Sequence, residues 1–109
     1  MGHGRLEKVV EAIEHDIVAA VRQVAREAVS IVHYGAFDIH PRYLVYWICV
    51  KSDDEKRRLE ADDALSEKLR HILVRHNYPS EGRDAVHIGV ESQETIDRES
   101  GGNWWAHWK

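Results

Sequence analysis

The chain has 109 residues, 43% of them hydrophobic and 31% charged, with a net charge of −4. That length supports one hydrophobic core rather than two, and the balance of apolar and charged residues argues against a disordered chain. Acidic and basic residues interleave throughout, and the longest basic run, Lys56-Arg57-Arg58, sits directly behind Asp53-Asp54-Glu55. A nucleic-acid phosphate track is therefore not expected.

Residues 5–33 read as one long amphipathic helix. Leu6, Val9, Val10, Ile13, Ile17, Val21, Val24, Ala28 and Ile31 recur at steps of three and four, and Gly35 follows as a stop. The segment YGAFDIHPRY then reads as a turn or short edge strand, because Pro41 lacks the N–H a ladder needs. Tyr43–Val50, YLVYWICV, carries the strongest strand signal: β-branched and aromatic residues with both faces apolar. A strand of that kind belongs at the centre of a sheet, covered on each side.

Ser52 and Glu55 have the spacing of a capping box, which predicts a second helix with Leu59, Leu65, Leu69, Ile72 and Leu73 as its core stripe, ending near Asn77. Residues 85–91 alternate, with Val86, Ile88 and Val90 on one face and His87, Gly89 and Glu91 on the other. Strand, helix and strand in that order predict a βαβ unit. SQETIDRES is short and polar and reads as a helical turn or loop. Gly101-Gly102 breaks it, and residues 103–109 have room for one closing strand. In that strand Trp104, Ala106 and Trp108 share one face, and Trp105, His107 and Lys109 the other. The expected fold is an α/β (α+β) two-layer sandwich in the order α-β-α-β-β. Its two main helices cover one face of a small mixed sheet, within a single domain over residues 1–109.

Metal and nucleophile chemistry find little support in the pattern. The lone cysteine, Cys49, lies inside an apolar run and reads as a small buried hydrophobe. His71 and His76 are five apart on a helix and do not share a face, while His87 and Glu91 lie about 13 Å apart along a strand. Neither pair can clamp one ion, so no metal and no cofactor is expected. No apolar run approaches the roughly 20 residues of a membrane span, and the N-terminal segment is charged from Glu7 onward. The expectation is a soluble, cytoplasmic protein with no membrane contact.

The functional expectation rests on the sheet face that the helices leave uncovered. Trp105, His107, His87 and Glu91 would share it, joined by Gln93, Asp97 and Arg98 from the loop after the strand. Aromatic and Arg side chains are the usual anchors of protein interfaces, which predicts a non-enzymatic binding module facing another protein or a second copy of itself. The acidic net charge suits a basic partner. The competing reading is a small hydrolase or small-molecule-binding enzyme in which His87 works with Glu91 or Asp97 as a proton-transfer pair. Asp97-Arg98 also has a purely structural role open to it, with the guanidinium pinning the loop to backbone or to Glu91.

The run HPRYLVYWICVKSD, then YPSEG, then ESQETIDRESGGNWWAHWK resembles a set of small bacterial proteins of unassigned function, over residues 40–109. SQETIDRESGGNWW is its most distinctive part. The resemblance implies a single-domain bacterial α/β protein and carries no catalytic assignment. Immunity proteins that neutralise toxins share this size, acidity and class, an analogy of architecture alone.

Overall fold

The computed structural model describes residues 2–102. Helix α1 (Gly2–Arg22) leads into strand β1 (Ser30–Tyr34), a 3-10 turn (Pro41–Tyr43) and strand β2 (Val45–Val50). Helices α2 (Asp53–Glu60) and α3 (Asp63–Arg75) follow, then a single turn α4 (Ser80–Arg83), strand β3 (His87–Ser92) and helix α5 (Gln93–Ser100). The fold is the expected mixed α+β arrangement. Residues 103–109, including Trp104, Trp105, His107 and Trp108, lie outside the described residues.

The sheet runs β1-β2-β3, with β1 antiparallel and β3 parallel to the central β2. Leu44, Tyr46, Ile48 and Val50 are buried on its inner face. The register sets Tyr46 beside Ile88 and Ile48 beside Val90, so the alternation read from the sequence meets its partner side for side. Val10, Ile13, Ile17 and Val21 of α1 and Leu65, Leu69, Ile72 and Leu73 of α3 close over that face in one core. Each fully buried aliphatic side chain there contributes about 1.5–3 kcal/mol. Tyr46, with no exposed surface, donates its hydroxyl to the Val10 carbonyl at 2.6 Å and ties α1 to the sheet.

Two boundaries differ from the sequence pattern. The helix expected over residues 5–33 ends at Arg22, and its last third becomes a turn and strand β1. Val24, Ala28 and Ile31 fit a helical spacing, but Val29-Ser30-Ile31-Val32 is also rich in β-branched residues that pack well on a pleated sheet. Pairing with β2 decides between the two. The second helix is split as well: Asp62 accepts from the Leu65 amide at 2.9 Å and caps α3, which separates it from α2. A side chain that caps competes with the helix interior for the same backbone groups.

SQETIDRES forms the complete helix α5, capped by Ser92, whose hydroxyl accepts from the Thr95 amide at 3.1 Å, and ended by Gly101 in the left-handed conformation, φ 60°. At the turn after β1, Gly35 has φ 113° and sits against the Tyr43 carbonyl, so a side chain there would meet both strain and a clash.

Candidate functional site

The second face of the sheet is assembled by register. Ser30, Val32 and Tyr34 of β1 lie beside Cys49, Trp47 and Val45 of β2, and these lie beside Glu91, Gly89 and His87 of β3. His87 and Glu91 therefore stand on the expected face, and Trp47 stands at its centre. The Trp47 indole N–H donates to the Tyr34 hydroxyl at 3.0 Å, and its ring centroid is 4.9 Å from that of His87, tilted by 59°. The result is a row of rings crossing all three strands.

Gly89 makes that row possible. A Cβ at this position would sit 2.6 Å from Trp47 Cζ3 and 2.6 Å from His87 Nε2. The two rings lie over the bare backbone of β3, and any side chain would push them off it. Val32 is 40% exposed at the β1 edge of the row.

A groove of about 670 Å³ runs beside the row, with Val29, Ser30, Val32, Tyr34, Cys49 and Gln93 among its lining residues. Its walls are mostly apolar. The Cys49 thiol on this wall is pushed up to about 11 by burial. A thiol so protonated is a poor nucleophile near neutral pH, as its place in an apolar strand predicts.

The polar residues at the C-terminal ends of β2 and β3 form a different structure. Asp53, at the start of α2, accepts from the Ser92 hydroxyl at 2.5 Å, the Thr95 hydroxyl at 2.7 Å and Arg98 Nη1 at 2.9 Å. Those three donors hold its carboxyl well below the usual carboxylate range, the Ser92 bond most of all. Glu94 accepts from the Asp53 amide at 2.7 Å and donates its own amide to the Lys51 carbonyl. The start of α5 is thereby bolted to the start of α2. The ion pair with Asp53 gives Arg98 the pinning role open to it in the sequence, with an acid from another helix in place of Glu91.

The remaining site residues separate by environment. Glu91 is buried, and Lys56 Nζ reaches its carboxylate at 2.7 Å. Gln93 stands at the groove rim and donates to Asp97 at 2.8 Å, one turn along α5. His87 packs its ring against Trp47 at a tilt, four residues and about 13 Å along the strand from Glu91. Among the described residues, histidine–carboxylate contacts occur elsewhere: His33 with Glu14, His76 with Asp16 at 2.7 Å, and His15 with Asp16 at 3.7 Å. Trp105 and His107 lie outside the described residues.

Three contributors to this face escaped the sequence reading. Ser30, Val32 and Tyr34 fell in the expected helix or turn, although SIVHY alternates with β-branched residues and carries a strand signal of its own. Among the described residues, no group of three His, Cys, Asp or Glu side chains is placed to hold a metal ion, and no helix is long and apolar enough to cross a membrane. The basic run Lys56-Arg57-Arg58 is fully engaged, in ion pairs with Glu91, Asp54 and Glu55. Compared with family models, with curated proteins and with solved structures, the chain shows no significant match.

Proposed function

We propose that the chain is a non-enzymatic protein-binding module whose contact surface is the second face of the sheet. The observation that carries this reading is the ring row Tyr34–Trp47–His87 laid over Gly89. Its members are joined to one another by a hydrogen bond and by a tilted ring contact. A partner therefore finds aromatic surface already ordered, and little side-chain entropy is lost on contact. Pre-ordered aromatic surface of this kind serves protein contacts, whereas a small-molecule enzyme calls for a positioned acid–base pair in its cleft. His87 is held by Trp47 and Glu91 by Lys56, an arrangement that favours binding over proton transfer. The net charge of −4 selects for a basic protein partner.

The test is affinity capture from cell extract on immobilised wild type and on His87→Ala, an exposed position whose loss leaves the core intact. A basic protein retained by wild type and lost by the variant, with unchanged circular dichroism, is the expected result. Equal retention by both proteins would place the contact surface elsewhere.

A further inference from the structure

We draw no further inference here: the strongest candidate, the mostly apolar groove beside β1 lined by Val29, Val32, Cys49 and Gln93 among others, carries none, because nothing among the described residues shows what covers it.

Discussion

Glu27 and Glu55 each hold the backbone of the other's segment. The Glu55 carboxylate accepts from the amides of Arg26 and Glu27 at 2.5 and 3.2 Å. The Glu27 carboxylate accepts from the amides of Lys51 and Ser52 at 3.1 and 3.0 Å and from the Ser52 hydroxyl at 2.5 Å. The exchange joins the turn before β1 to the start of α2, and it explains why α1 cannot continue. Amides 26 and 27 already have a partner across the fold. Arg58 completes the arrangement, donating to Glu55 at 2.7 Å and to the Val24 carbonyl at 2.7 Å.

Replacing Glu55, which is 3% exposed, strands two amides and a partly buried guanidinium. Glu55→Ala is expected to lower unfolding free energy by about 3 kcal/mol, the range for breaking a buried charged network. Urea denaturation followed by circular dichroism measures it. A loss under 1 kcal/mol would show that water replaces the carboxylate without cost.

Stability is expected to fall on the acid side. Asp53 is held below its ordinary value by the Ser92 hydroxyl, then Thr95 and Arg98, Asp16 by His76 and then Arg75, and Glu27 by Ser52. A carboxylate depressed in the folded state stabilises fully above its unfolded pKa, and loses that contribution as pH falls through the folded value. Tm should therefore hold level from neutrality to about pH 5 and decline below about pH 4. Asp53→Asn should lower the plateau and flatten the acid limb. An acid limb as steep as that of wild type would show that other carboxylates govern it.

Gly89→Ala tests the seat of the ring row. A methyl 2.6 Å from Trp47 and His87 forces one or both rings away. His87 is exposed and yields readily, whereas Trp47 is half-buried and tied to Tyr34. The expected loss is about 1–3 kcal/mol, the usual cost of overpacking, with a changed near-ultraviolet dichroism band. An unaltered band would mean that the rings accommodate the methyl in place.

Cys49 should react slowly while the chain is folded. Burial raises its thiol from 9.0 to about 11; thiolate at pH 8 falls about a hundredfold, its greater basicity recovers part of that in nucleophilicity, and modification by a disulfide reagent should run roughly tenfold slower than in the denatured chain. Matching rates would place the thiol at the surface.

Much of the frame was legible in local pattern. Strand β2 showed itself central by being apolar on both faces, and β3 declared its inner and outer sides through Val86, Ile88 and Val90 against His87, Gly89 and Glu91. Ser52 marked the start of α2, and its hydroxyl does accept from the Glu55 amide at 3.2 Å. These signals rest on spacing within one element, where periodicity and caps are fixed by backbone geometry.

Only the tertiary structure decided what depends on partners distant along the chain. The reciprocal half of the Ser52 capping box was expected from Glu55. It comes instead from Glu27, 25 residues earlier, while Glu55 turns to amides 26 and 27. Residues 30–34 satisfied helical and strand patterns alike, and pairing with β2 chose the strand. Asp53 and Arg98, 45 residues apart, found each other only once two parallel strands set α2 beside α5. Composition and spacing determined which elements could form. Which carboxylate caps which helix, and which segment becomes the sheet edge, followed from the contacts that packing made available.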